Sequence, residues 1–286
     1  MRAVGHAPNV NGMELDQAIR TYYETRTEED RLQSGPSQLE AVRTRELIER
    51  FIPAVPQTVL DVGGAAGAYA LWLAEAGHTV HLLDPVERLV REAERRSASA
   101  SHPLASCRVG DARALPYEDG SVDVVLMLGP LYHLTEAADR VLALSQAKRV
   151  LRARGLVFAA AISRWAAALD AVARDLYVQP GHEEIAHSAL ADGQHRNPTG
   201  RPGGFTRAYF HRPDDLACEL AEAGFDVDGV FALEGMAGFL PAFGDRWADP
   251  RQRANILRLA RELEREPFLL GATPHMLAVG RIATPV

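Results

Sequence analysis

Cysteine is scarce in this chain, with two among 286 residues, Cys107 and Cys218. They make neither a metal-ligand spacing nor a redox pair, and a reduced, cytoplasmic setting is the simplest reading. Positive charge is not in excess either. Lys and Arg number 31 against 38 Asp and Glu, a net charge of −7, and no long basic run occurs. That argues against nucleic acid as the main partner. Long apolar runs are missing, so no segment reads as a membrane span and none as a secretory apolar core. There is no internal repeat. What remains, 47% hydrophobic and 24% charged, is the composition of a globular chain, long enough for one large α/β domain or two small ones.

From residue 58 the pattern alternates between strand and helix, the mark of a parallel sheet with crossover helices. Strands are expected at "TVLDVG" (58–63), "TVHLLD" (79–84), "SCRVGD" (106–111), "SVDVVLMLG" (121–129) and "LVFAAAI" (156–162). Helices are expected at 68–77 and 85–96. A long helix is expected over 135–155, with Thr135 as its N-cap and Gly155 as its C-cap. The rhythm breaks over 163–211 and resumes with a helix at 213–224 and a strand at 225–235. A further helix opens at Asp249-Pro250, and the last strand is 275–282. Residues 1–12 lack periodicity and read as a flexible N-terminus. The expected division is N-terminal helices (13–56), a core (57–162), an inserted cap (163–211) and a return to the sheet (212–286), all in one α/β domain.

The stretch "DVGGAAGAY" (61–69) sits between the first strand and the following helix. A dinucleotide fingerprint, G-x-G-x-x-G, begun at Gly63 would need glycine at 65 and 68, where alanine stands. An acidic residue followed by G-x-G-x-G fits better: Asp61, Gly63 and Gly67 match and Ala65 departs. Ala65 is expected at negative φ, where a Cβ costs little. Asp84 ends the second strand, where a carboxylate can accept ribose hydroxyls. It also stands three residues before Glu87 in a capping-box arrangement. Asp111 follows the third strand and could equally start a turn.

With "VGDARALPYEDGSVDVVLML" (109–128), "LGPLYHL" (128–134) and "AKRVLRARGLVFAAAI" (147–162), these residues resemble the class I S-adenosylmethionine-dependent methyltransferases of the small-molecule type. The resemblance covers residues 40–162 in detail. It implies a Rossmann-like fold: a mostly parallel seven-stranded sheet with helices on both faces, here with an N-terminal helical extension and an inserted cap. It implies S-adenosyl-L-methionine as cofactor, bound by Asp61, Gly63, Gly67, Asp84, Asp111, Ala112 and Gly129. By the same resemblance a tyrosine of the N-terminal extension, Tyr22 or Tyr23, lies over the cofactor, and Arg43 meets the cofactor's carboxylate. Of the two tyrosines, Tyr22 is assigned to the cofactor and Tyr23 to the substrate.

On the acceptor side, "GPLYHL" lacks the N/D-P-P-Y motif of amino-methylating nucleic-acid enzymes, the paired-glutamate loop of protein arginine methyltransferases and a Pro-Cys nucleophile. No carboxylate cluster for a metal is evident, so the metal assignment is none. The favoured class is a metal-independent transfer to an N or O atom of a small molecule, by a monomer or homodimer, with neither nucleic acid nor membrane as partner. His133 is the candidate acid–base group, with Tyr132 beside it. "FTRAYFH" (205–211) alternates, which as a strand places Arg207, Tyr209 and His211 on one face, a lining for a polar acceptor. His182, His187 and His195 read as scattered surface histidines. A nicotinamide-dependent oxidoreductase and a non-catalytic cofactor-binding module stay open as alternatives.

Overall fold

A computed structural model describes residues 16–25, 30–197 and 205–283. The expectation of a flexible segment at 1–12 lies outside the described residues. Two helices open the chain, α1 (Gln17–Thr25) and α2 (Ser37–Phe51), with a short 3-10 turn at Arg31–Gln33 between them. There follow β1 (Thr58–Val62), α3 (Ala68–Glu75), β2 (Thr79–Asp84), α4 (Glu87–Ala98), β3 (Ser106–Val109) and β4 (Val122–Met127). Next come a single helical turn α5 (Pro130–His133), α6 (Ala137–Val150) and β5 (Leu151–Ser163).

Strands β3, β2, β1, β4 and β5 run side by side and parallel. Beyond residue 163 lie α7 (Ala166–Ala173), α8 (His182–Asp192) and a small hairpin, β6 (Gln194–His195) and β7 (Ala208–His211). β5 outruns β4, and its last residues take β7 as a parallel neighbour at Ile162 and Ser163. The sheet is completed by α9 (Pro213–Glu222), β8 (Phe225–Ala232), α10 (Phe243–Ala248), α11 (Pro250–Leu263) and β9 (His275–Ile282). β9 lies antiparallel between β5 and β8. The seven-stranded, mostly parallel sheet is present, with the β6–β7 hairpin added to it.

Alternation along the strands sends side chains to opposite faces. Leu60, Val62, Val125 and Met127 pack with Leu144, Leu216 and Leu220 of α6 and α9. Val59, Val80, Leu126 and Phe158 pack with Leu47 and Ile48 of α2 and Leu73 of α3. Helices therefore cover both faces. Strand order reverses between β1 and β4, and a parallel sheet opens a ligand crevice beyond the carboxyl ends of the strands at such a switch.

Two local readings change. The helix expected over 135–155 ends at Val150, and β5 begins at once. Gly155 is part of a bend in β5, not a helix cap. A Cβ there would stand 2.9 Å from the Arg152 carbonyl oxygen and 3.1 Å from that of Asp123, so the glycine serves close packing. Thr135 is not the N-cap; Glu136 takes that position, without a side-chain bond. The Asp249 cap is as expected, its carboxylate accepting from the Gln252 N–H at 2.8 Å.

Candidate active site

Two cavities open at the crevice. The smaller, about 160 Å³, is walled by the β1–α3 turn, the end of β2, Asp111 and Ala112, and the segment Leu128–Leu134. In the turn, the Gly63 and Gly64 N–H groups both donate to the Leu83 carbonyl, at 2.7 and 3.3 Å. Gly63 has φ +72, and a Cβ on it would stand 2.9 Å from the Pro130 ring; one on Gly64 would meet an Asp61 carboxylate oxygen at 2.8 Å. The turn thus admits no side chain at its floor.

Ala65 departs from expectation. Its φ is +47, in the left-handed region that L-residues occupy at a cost. The cause is visible in its hydrogen bond: its N–H donates to Asp84 Oδ2 at 2.9 Å, and the reversal of the chain supplies that direction. Gly67 also differs from its assignment. At φ +85 it begins α3, its backbone faces Leu71 and Leu82, and it lies behind the cavity wall rather than in it.

Two buried carboxylates lie under this turn. Asp84 accepts from Ala65 through Oδ2 and from the Val86 N–H through Oδ1 at 2.8 Å. That second bond holds the loop before α4, whose N-cap is Val86, so Asp84 is not the helix cap that the Glu87 spacing suggests. Burial pushes the Asp84 carboxyl up to about 6. Asp61 is 1% exposed, and its Oδ2 has no hydrogen-bond partner among the described residues. Burial and then the negative charge of Asp84 push it up to about 7, against a hydrogen bond from the Ala70 backbone. A buried carboxylate with an open lone pair calls for a cation or a donor.

Asp111 lines the far end of the cavity with Ala112, but its carboxylate is already gripped by Arg113. Oδ1 accepts from Nε at 2.9 Å and from the backbone N–H at 2.8 Å; Oδ2 accepts from Nη2 at 2.7 Å. Gly129 lines the cavity. Arg43 does not. It is fully buried between α2 and α11, paired with Glu46 and Glu264. An amphipathic helix shows its arginines to the sequence reader without telling which partner helix will claim them.

The larger cavity, about 650 Å³, is shaped by α7, α8, the β6–β7 hairpin and the N-terminal segment. Tyr23, Arg31 and Tyr132 line both cavities. Of the two neighbouring tyrosines, Tyr22 does not line the smaller cavity to which its assignment would bring it, while Tyr23 lines both. Tyr22 lines the larger cavity alone, and Tyr23 stands at the junction. The Tyr23 hydroxyl lies 2.6 Å from His133 Nε2. The rings of Tyr23, Tyr132 and Phe205 enclose His133, and burial pushes its imidazole down to about 4. At neutral pH the ring is uncharged and able to accept a proton.

The expected polar face of β7 is turned away from both cavities. Arg207 is on the surface, paired with Asp16 at 2.8 Å. Tyr209 lies under the Arg140 guanidinium, 3.7 Å from the ring centroid. His211 is fully buried against Glu219 at 3.1 Å. The alternation is as read, but the other face lines the cavity, through Phe210. A small-molecule cavity is mostly apolar, and the polar face instead meets Arg140 and Glu219 of α6 and α9. His195 is not a surface residue: it is 6% exposed and stacks on Phe210 with 4.8 Å between centroids.

The structure also gathers residues that no spacing announces. Arg31 donates through both Nη atoms to Glu40, at 2.7 and 2.9 Å. His275 Nδ1 lies 2.6 Å from Glu234 Oε1, and Glu40 adds its charge from 3.7 Å. The ligand atoms of Glu40, Glu234 and His275 fall within 4.8 Å of one another. Despite burial, the two carboxylates push His275 up to about 9, and Arg31 with His275 holds Glu40 down at about 2. These donors are engaged with one another.

Residues 60–159 match the family model for a methyltransferase domain. An uncharacterized methyltransferase of Mycobacterium tuberculosis (strain H37Rv) is 31% identical over 110 residues, 38% of this chain and 42% of its own length. The ubiquinone/menaquinone biosynthesis C-methyltransferase UbiE of Dinoroseobacter shibae is 32% identical over 112 residues, 38% of this chain and 44% of its own. The chain thus spans less than half the length of these curated relatives. A solved methyltransferase from Thermotoga maritima, described as a possible histamine N-methyltransferase, has a TM-score of 0.58 and 15% identity. The match covers 93% of this chain and 100% of its own, and it shows the shared fold.

The small cavity fits the family's cofactor. S-adenosylmethionine carries an ammonium and a sulfonium, and the cavity offers the unpartnered Asp61 oxygen and a second buried carboxylate, Asp84, beside a floor that only glycine leaves open. Through this core the chain matches the methyltransferase-domain family, and it shares its fold with solved S-adenosylmethionine-dependent methyltransferases.

Proposed function

We propose that the chain transfers the methyl group of S-adenosylmethionine to an oxygen or nitrogen atom of a small molecule, without a metal ion. The observation that supports this best is the meeting of the two cavities at Tyr23, Arg31 and Tyr132. In this reading the smaller cavity holds the cofactor. Asp84 accepts the ribose hydroxyls with the lone pairs left beside its two backbone bonds. Asp61 compensates the ammonium, and Asp111 and Ala112 border the adenine. The larger cavity holds the acceptor, and 163–211 acts as its cap. The bound cofactor supplies a methyl group already activated by a sulfonium.

The protein's own part is to orient the acceptor, exclude water and take a proton where one must leave. A hydroxyl acceptor gives its proton to the Tyr23 oxygen as Tyr23 passes its own to His133 Nε2. The proton ends on an imidazole whose low pKa returns it readily to solvent. A neutral amine needs no such relay. Tyr132 positions the acceptor beside this couple. The metal-independent part of the reading rests on the donors of Glu40, Glu234 and His275. One carboxylate is forked by Arg31, and the imidazole is held protonated; a metal ion would have to displace both partners. In this reading the chain works in a reduced cytoplasm, with Cys107 and Cys218 as free thiols.

The test is transfer of label. Full-length protein is incubated with S-adenosylmethionine labelled on its methyl group and with a small-molecule extract, and products are separated by mass spectrometry. Labelled small molecules formed with stoichiometric S-adenosylhomocysteine support the proposal. Label found only in protein or nucleic acid, or none across broad extracts, overturns it.

A further inference from the structure

The charged side chains that line the larger cavity come in pairs. Arg31 is matched by Glu40, His275 by Glu234, and Arg174 by Asp170 at 2.8 Å. Among the described residues, no fixed charge of the lining is left over. The rest of the wall is mostly apolar or aromatic, with Tyr22, Tyr132, Phe205, Phe210 and Phe239 supplying rings and Ser37, Gln179, His182, His195 and Asn197 supplying uncharged polar groups.

At one end of this cavity sits His275. Its Nδ1 is spent on Glu234 at 2.6 Å. Glu234 is itself fixed, accepting from the Thr273 hydroxyl at 3.0 Å and from the His275 backbone N–H at 3.1 Å through its other oxygen. The ring therefore cannot turn without breaking that set of bonds. Nε2 is the nitrogen left for a ligand, and a ring kept protonated by two carboxylates presents it as an N–H donor.

Charge decides what can accept from it. A carboxylate of the ligand would lie close to Glu40 and Glu234, both already neutralised by their own partners. An ammonium would meet Arg31 and His275. Either leaves a buried charge without a counter-charge, which is costly. An uncharged oxygen takes the hydrogen bond and adds no charge. His195 provides a second polar point on the same wall: its Nδ1 is buried and without a hydrogen-bond partner among the described residues.

We propose that the larger cavity takes an uncharged, largely aromatic or apolar molecule, anchored by a carbonyl or hydroxyl oxygen that accepts a hydrogen bond from His275 Nε2. The name acceptor for this molecule rests on the methyl-transfer reading; the binding claim does not.

The experiment uses four probes of one shape: 2-acetylnaphthalene, 2-ethylnaphthalene, 2-naphthoate and 2-naphthylmethylammonium. Each is titrated by ligand-observed NMR into full-length protein, with and without S-adenosylhomocysteine. The ketone is expected to bind about tenfold more tightly than each of the other three, the effect of one well-made hydrogen bond or one unpaired charge. His275→Leu is expected to remove the ketone's advantage over the ethyl compound while leaving S-adenosylhomocysteine affinity unchanged. If that variant does not fold, the ¹⁵N–¹H signal of His275 Nε2 in the wild type replaces it, and it should shift with the ketone and not with the ethyl compound. Naphthoate or the ammonium binding as well as the ketone overturns the proposal. So does a ketone advantage that survives in His275→Leu, an Nε2 signal indifferent to the ketone, or no binding by any probe at millimolar concentration. Failure of S-adenosylhomocysteine to bind is a separate outcome, and it strikes the methyl-transfer reading alone.

Discussion

Replacing Ala65 by glycine should stabilise the protein, against the usual direction for such a change. Ala65 is held at φ +47, where a Cβ costs about 1–2 kcal/mol that glycine does not pay. Glycine in turn loses about 0.4–1 kcal/mol through the greater freedom of the unfolded chain. The bond from the residue 65 N–H to Asp84 is a backbone bond and survives. The net expectation is a gain of about 0.5–1 kcal/mol, seen as a rise of about 1–4 °C in Tm for a chain of this size. The matched control is Ala66→Gly. Ala66 is buried and not left-handed, so there the loss should appear undiminished, about 0.5–1 kcal/mol. Urea and thermal unfolding of the two variants, with and without S-adenosylhomocysteine, measure both. If Ala65→Gly falls in stability as Ala66→Gly does, the left-handed turn and the strain argument built on it are wrong.

Other consequences follow from the same structure. Arg43→Ala leaves Glu264 with Arg50 alone at a buried site and should cost about 3–5 kcal/mol in urea unfolding, with S-adenosylhomocysteine affinity unchanged; lost affinity in a folded variant would return Arg43 to the cofactor site. Tyr23→Phe and His133→Ala should each lower kcat for a hydroxyl acceptor, by up to about 10²–10⁴-fold. Because His133 is held at about 4, the wild-type kcat, measured at saturating cofactor and acceptor, should stay flat from pH 8 down to 5; a midpoint near 6.5 in kcat would contradict this. Asp61 has its carboxyl raised from 3.8 to about 7. In that window the native state holds a proton that the unfolded chain has lost, so the free protein gains stability as pH falls from 7 towards 4. A ligand ammonium paired with Asp61 must expel that proton, so S-adenosylhomocysteine should bind more weakly below about pH 7 and release protons on binding. Calorimetry in buffers of different ionisation enthalpy reads this, and affinity flat from pH 8 to 5.5 would refute it.

What the sequence discloses here is local and periodic. The strand at Thr79–Asp84 and the last strand at His275–Ile282 stand where the apolar alternation puts them, because a two-residue period needs no knowledge of partners. Asp61 and Gly63 line one cavity because a short turn between strand and helix holds them there, and Asp84 joins them because β2 runs parallel beside β1. Ala65 misleads because its φ is imposed by a carboxylate 19 residues away. The face of β7 misleads for a related reason: polarity marks Tyr209 and His211 as site candidates, but Arg140 and Glu219 decide which way they point. Glu40, Glu234 and His275 leave no trace in the sequence, since they come from α2, the end of β8 and the start of β9. Their meeting depends on the whole sheet being assembled.

In the proposed reading the smaller cavity, with the buried Asp84 in its wall, holds S-adenosylmethionine. Calorimetric titration of S-adenosylhomocysteine and of NAD into the wild type and into Asp84→Ala addresses it directly. S-adenosylhomocysteine should bind the wild type, NAD should not compete, and the variant, folded by circular dichroism, should bind more weakly by about 1.5–3 kcal/mol, the loss of two charge-assisted hydrogen bonds. Equal affinity of wild type and variant, or preferential binding of NAD, would contradict it.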